Sequence, residues 1–181
     1  MSDRGIFYKK LFTLVLPIAF QNFMTAAVSA SDAIMLGVIS QEALSAVSLA
    51  GQIQFVLSLF LAALTIGTTI LAAQYWGKGD KVSVEKILAI ALRFSSAISL
   101  VFFLGTLFIP ETLMGIFTPD AELTAQGAEY LRIVGVSYLL MGISQIYLCI
   151  MKNSGNTLKS TVIGSVSMVT NIVLNAVFIF G

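Results

Sequence analysis

Apolar residues fill five long stretches of this chain, and polar residues gather in the short gaps between them. The stretches cover about 11–39, 51–76, 87–109, 130–151 and 158–180. A helix of about 20 predominantly apolar residues crosses the hydrocarbon core of a bilayer, so the pattern predicts five membrane-spanning helices. Turn chemistry separates them at Gly77-Lys78-Gly79-Asp80 and Asn153-Ser154-Gly155-Asn156. Pro110 is expected to end the third helix. Thr118-Pro119-Asp120 reads as a helix start, with threonine as cap and proline at the first position. The fourth helix is therefore expected to begin well before the membrane.

Composition agrees with this pattern. Of 181 residues, 57% are hydrophobic and 10% charged, with mean hydropathy +0.95. Soluble domains run near 25% charged, so the fold class is an all-α polytopic membrane protein. The net charge of +1 matters less than its distribution. Arg4, Lys9, Lys10, Lys78, Lys81, Lys86, Lys152 and Lys159 all fall on one side of the expected bundle, and Arg93 sits near that end of the third helix. The other side carries Glu42, Glu111, Asp120, Glu122 and Glu129, with Arg132 as its one cation. The positive-inside rule then places the N-terminus in the cytoplasm, and five crossings leave Gly181 outside. The apolar run behind Arg4, Lys9 and Lys10 is too long for a signal peptide and lacks a cleavage site. The chain stops at Phe178-Ile179-Phe180-Gly181, at a helix end with no polar tail, and is expected to be a fragment.

Against this greasy background one carboxylate stands out. Asp32 lies inside the first apolar stretch, where an acid costs roughly 2.5–3.5 kcal/mol on insertion-derived scales. Gln21, Thr25, Ser29 and Asp32 follow at steps of four, four and three, which puts them on one helix face. Pro17 sits one turn below Gln21 on the same face. A polar stripe ending in a carboxylate, above a proline, is expected to line an ion or substrate path. On the fifth helix Asn171 and Asn175 are four apart and share a face. Each offers an amide and a carbonyl oxygen, suited to a hard cation or a buried carboxyl. The depths of Asp32 and the asparagines are compatible with one site in the outer half of the membrane. The alternative for the asparagines is interhelical glue.

Other features are expected to be structural. Gly135 and Gly142, and the cluster of Gly164, Ser165 and Ser167, let helix backbones approach closely in lipid. Arg93 lies less than two turns into the third helix as read here, within snorkelling distance of the interface. Cys149, the only cysteine, reads as a small buried hydrophobe. Gly77-Lys78-Gly79-Asp80-Lys81 lacks the spacing of a phosphate loop. There is no histidine, and no nucleophile–base pair, metal cluster, nucleotide fingerprint or nucleic-acid motif is evident. The chain is not expected to be an enzyme.

Several segments are similar to one family. Leu16-Pro17-Ile18 followed by Ser31-Asp32-Ala33-Ile34-Met35-Leu36-Gly37 resembles the first helix of multidrug and toxic compound extrusion (MATE) transporters. Ala73-Gln74-Tyr75-Trp76-Gly77-Lys78 looks like the end of their second helix, and Glu129-Tyr130-Leu131-Arg132-Ile133 the start of their fourth. Asn171-Ile172-Val173-Leu174-Asn175, running on to Ile179-Phe180-Gly181, resembles their fifth. The resemblance implies a twelve-helix exporter of two six-helix lobes, with this chain holding helices one to five of the N-terminal lobe. The sixth helix and the C-terminal lobe would be partners outside it.

It further implies export of cationic amphipathic drugs or toxic cations across a bacterial cell membrane, in exchange for protons or sodium ions and with no cofactor. Asp32 would be the ion carrier, with Asn171 and Asn175 beside it as the place for any sodium ion. At the second asparagine position several members carry aspartate. With Asn175 this site would hold one carboxylate rather than two, which leaves the coupling ion open. Pro17 matches the hinge at which the first helix is proposed to bend when the aspartate takes up a proton. Two other readings compete. A lipid-linked oligosaccharide flippase of the same superfamily would line its cavity with several cations, where only Arg93 is available. A non-transporting membrane scaffold would not need the Gln21–Asp32 stripe.

Overall fold

In the computed structural model, residues 3–180 are described and form six helices: α1 (Asp3–Ile39), α2 (Gln41–Gly77), α3 (Lys81–Phe108), α4 (Pro110–Gly115), α5 (Ala121–Asn153) and α6 (Thr157–Phe180). Among the described residues there is no strand. All but α4 are long and apolar enough to cross a membrane, so the five expected spans are present. Gly181 and the side chains of Arg4, Lys9 and Lys10 lie outside the described residues.

The helices extend beyond the apolar stretches, and capping chemistry sets the starts of α2, α3 and α5. Helix α2 starts at Gln41 rather than near residue 51, because Ser40 accepts the Ala43 N–H at 3.0 Å. Helix α3 starts at Lys81 rather than near 87, capped by Asp80, whose carboxylate takes the Ser83 N–H at 3.0 Å and the Ser83 hydroxyl at 2.6 Å. The hydroxyl bond first, and then the backbone one, hold this exposed carboxyl below its usual value of 3.8. Pro110 follows the end of α3 but also opens the short helix α4 as its first residue. The cap of α5 is Asp120, which accepts the Glu122 and Leu123 N–H groups at 2.8 and 3.1 Å. Thr118, the expected cap, instead accepts the Asp120 N–H from outside the helix.

Helices α2 and α5 both end in the same closure. Asp80 N–H reaches Tyr75 O at 3.0 Å, and Asn156 N–H reaches Met151 O at 3.0 Å. Each closure passes through a glycine of positive φ, Gly79 at 75° and Gly155 at 78°.

Register follows from the paired residues. Thr65–Cys149 and Thr69–Asn153 keep the same offset of 84 residues, so α2 and α5 run parallel. Ser95–Gly142 and Thr106–Gly135 run in opposite order, so α3 is antiparallel to α5. These three helices form the main bundle around Ala50, Ile53, Leu57, Leu61, Leu131 and Tyr138, with Met114 of α4 closing one end. The glycines on α5 set the spacing. A Cβ on Gly127 would strike Met114, one on Gly135 would strike Thr106, and one on Gly142 would strike Ser99. In lipid, where apolar surface gains little by leaving the solvent, such close backbone packing carries association. Ser95 adds a hydrogen bond to Gly142 O at 2.6 Å. Helix α6 joins this bundle along α5, and α1 packs on α6 and touches α2.

Candidate functional site

Three pairs across the α1–α6 seam share one sequence offset of 143 residues. Gln21 lies against Gly164, Thr25 Oγ1 is 3.8 Å from Met168 Sδ, and Asp32 meets Asn175. A constant offset means two parallel helices in register. The α1 polar stripe borders α6, and the register sets the carboxylate level with the asparagine pair.

At the top of the seam, Asn175 Nδ2 donates to Asp32 Oδ1 at 2.9 Å and to Asn171 Oδ1 at 3.3 Å. One amide nitrogen carries two hydrogens, so both bonds form together. It sits between a carboxylate oxygen and an amide oxygen, where a small cation would also be attracted. Asp32 and Asn175 are half-buried and Asn171 is exposed. As arranged, one amide donates to the Asp32 carboxyl and to the Asn171 carbonyl at once. To coordinate a cation between the same oxygens, Asn175 must withdraw its nitrogen and turn its own oxygen inward. The structure thus brings Asp32, Asn171 and Asn175 together.

The rest of the stripe divides. Gln21 is buried at 9% exposure, and its amide fills the space that a Cβ on Gly164 would need. Thr25 Oγ1 donates to Gln21 O at 2.9 Å and Ser29 Oγ to Thr25 O at 3.2 Å. Both residues remain exposed, with hydroxyl protons engaged by their own helix and oxygens open to an outside donor. Pro17 is half-buried and lies within an unbroken α1.

Tyr130 was missed in the sequence. It lies on α5, half-buried, within electrostatic range of Asp32. A tyrosine at the edge of an apolar stretch signals an interfacial aromatic, and nothing in its spacing pointed to a residue 98 positions earlier. Cys149 is buried, as expected, but is no bland hydrophobe. Its sulfur lies 3.2 Å from Thr69 Oγ1 and donates to Thr65 O at 3.5 Å, while Asn153 Nδ2 reaches both Thr69 Oγ1 and the sulfur. This cluster ties the basic-side ends of α2 and α5. Arg132 pairs with Glu111 at 2.6 Å, an exposed contact of small worth.

Comparison with known proteins points the same way as this geometry. The MatE family model matches residues 17–177, a range that contains the whole α1–α6 seam up to Asn175. The chain is 27% identical over 173 residues to the multidrug resistance protein PmpM of Pseudomonas aeruginosa, covering 96% of this chain and 36% of the relative. It is 25% identical over 179 residues to the probable multidrug resistance protein NorM of Thermotoga maritima, covering 96% and 37%. With the uncharacterized transporter YisQ of Bacillus subtilis it shares 24% identity over 172 residues, covering 94% and 38%. The chain therefore spans less than two fifths of the length of these relatives. With a family match running from the Pro17 turn through the Asp32–Asn175 contact, this chain belongs to the MatE family.

Proposed function

We propose that these residues are the N-terminal part of a secondary-active exporter in a bacterial cell membrane, which expels cationic amphipathic compounds in exchange for an inward ion carried by Asp32. The observation that carries the reading is the Asp32–Asn175 hydrogen bond, an intramembrane carboxylate held by a single amide between two parallel helices. The names of two relatives, as multidrug resistance proteins, support the substrate class.

Carboxylates within membrane helices mark ion pathways far more often than they serve packing. Ionised, Asp32 accepts from Asn175 and attracts a cationic partner. Protonated, it loses the charge that favours both, and its hydrogen bond drops to about half the strength of a charge-assisted one. The α1–α6 seam then has a weaker tie at its upper end, while Gln21 on Gly164 anchors it below. Pro17, which cannot donate a backbone hydrogen bond, is the point at which α1 can bend. A local change of charge thereby biases a two-state element.

The geometry favours a proton over sodium as the coupling ion. The trio offers one carboxylate, and an amide nitrogen already holds the space between its oxygens. Alternating access needs a second lobe against which this one moves, which the remaining length of the relatives is long enough to supply.

The test is Asp32→Asn in the complete protein, with dye efflux, expression and membrane insertion measured together. Efflux should vanish while expression and insertion hold. Cells with this variant that expel cationic dyes as well as wild type would refute the carrier role. Efflux driven by an imposed pH gradient without sodium supports the proton; strict dependence on a sodium gradient overturns it.

A further inference from the structure

Arg93 takes no part in the seam, and its position in the structure differs from the one expected of it. Because α3 starts at Lys81, Arg93 lies twelve residues into the helix, about 18 Å along its axis. The bundle-facing positions of α3 are Val84, Ala91, Ser95, Ser99 and Thr106. Arg93 is two residues from Ser95, hence about 200° round the helix, and it is exposed on the outward side. Among the described residues it has neither an ion pair nor a hydrogen-bond partner. Its guanidinium is thus open to an anion from outside these six helices.

Lys86 stands on the same outward stripe, seven residues or about 10 Å toward the basic side. It is exposed and lies near enough to Asp80 to act on it electrostatically. Glu85, one position earlier, projects about 100° away. Beside this stripe runs a groove of about 310 Å³ between α2 and α3, lined by Leu64, Gly67 and Leu71 on one side and Ile87, Ile90 and Phe94 on the other. Leu71, Ile90 and Phe94 are about half exposed, so the groove opens outward. Its α3 wall runs from Ile87, next to Lys86, to Phe94, next to Arg93, so the two cations flank its two ends. Snorkelling brings the Arg93 guanidinium back toward Lys86 at the basic-side mouth of the groove, which leaves charge at the surface and an apolar wall beneath it, the layout of a lipid.

We propose that the α2–α3 groove binds an anionic phospholipid of the basic-side leaflet, one acyl chain lying along Gly67 and Ile90 and the phosphate held at the groove's basic-side mouth by Lys86 and the guanidinium of Arg93. The arginine snorkels toward the surface and the lysine reaches up to meet it, so that the two close on one phosphodiester. The groove selects for a chain and the cations for the negative headgroup, as basic pockets between membrane helices do. This site is independent of Asp32 and of what the protein transports.

Native mass spectrometry of the complete protein tests the proposal, with phosphatidylglycerol and phosphatidylcholine of identical chains as probes. Wild type should retain phosphatidylglycerol in preference. Arg93→Gln and Lys86→Gln should each cut that preference about fivefold, the effect of one basic side chain near an anionic surface. Arg93→Lys, which keeps the charge, should preserve most of it and controls for folding. Gly67→Leu should reduce retention of both lipids, because a side chain there meets nothing within 4 Å and enters the groove. Equal retention of the two lipids by wild type, or selectivity unchanged in both glutamine variants, overturns the site. So does Gly67→Leu that lowers thermal stability without altering lipid retention, since a protein segment would then fill the groove.

Discussion

Replacing Gly142 by alanine places a methyl group where Ser99 already stands. The added Cβ would overlap Ser99 Oγ and lie 2.9 Å from Ser95 Oγ and 3.1 Å from Ser99 Cβ. Both serines are fully buried, and their short side chains cannot swing clear without meeting α5 again. The helices must separate. Overpacking of this kind costs about 1–3 kcal/mol. Separation also stretches the Ser95–Gly142 hydrogen bond of 2.6 Å, worth about 0.6 kcal/mol for an average bond between membrane helices. Against this, alanine gains about 1 kcal/mol over glycine in helix propensity. The balance is a loss of about 0.6–2.6 kcal/mol. Thermal unfolding of the complete protein in detergent should show Gly142→Ala melting below wild type. Adding Ser99→Gly removes the hydroxyl and Cβ that collide, so the double variant should melt well above the sum of the two single effects. Strict additivity, or an unaltered melting temperature for Gly142→Ala, would refute the tight α3–α5 contact.

Two further outcomes follow from the caps and the seam. Asp80 has its carboxyl held below 3.8, chiefly by the Ser83 hydroxyl. A depressed folded-state value means the cap stabilises fully above the unfolded value near 3.8 and fades as pH falls below it; the stability gap between wild type and Asp80→Ala should therefore be constant from pH 7 to 5 and close toward pH 3, and a gap that widens on acidification contradicts the assignment. Asn175→Asp sets a second carboxylate beside Asp32 and removes the amide nitrogen between the oxygens; sodium should then stimulate efflux where it has little effect on wild type, and identical sodium dependence in the two proteins counts against the site described.

How much of this was legible beforehand varies by residue. Asp32 drew attention through its cost in an apolar stretch, and Asn171 and Asn175 through their four-residue spacing, both local properties. Gly135 and Gly142 were readable as close-packing positions, because small residues on a membrane helix have few other uses. Tyr130, by contrast, is unremarkable in its own segment and acquires its relation to Asp32 only when α5 and α1 are brought near α6. Cys149 likewise looked inert until Thr69 and Asn153 stood beside it. Arg93 lies farther from the start of its helix than hydropathy placed it, because hydropathy marks where the apolar run begins, whereas Asp80 marks where the helix begins, two turns earlier.

By itself the sequence determined the number of membrane-length helices, the basic and acidic sides, and the kinds of side chain available for ion chemistry, because each depends on solvation of a segment and not on its neighbours. Tertiary structure alone decided the 143-residue offset that sets Asp32 against Asn175, and the exposure of Arg93 beside an apolar groove. Those depend on which helix faces pack together. In a bilayer that choice rests on small-residue fit and buried hydrogen bonds, a matter of shape between segments far apart in the chain.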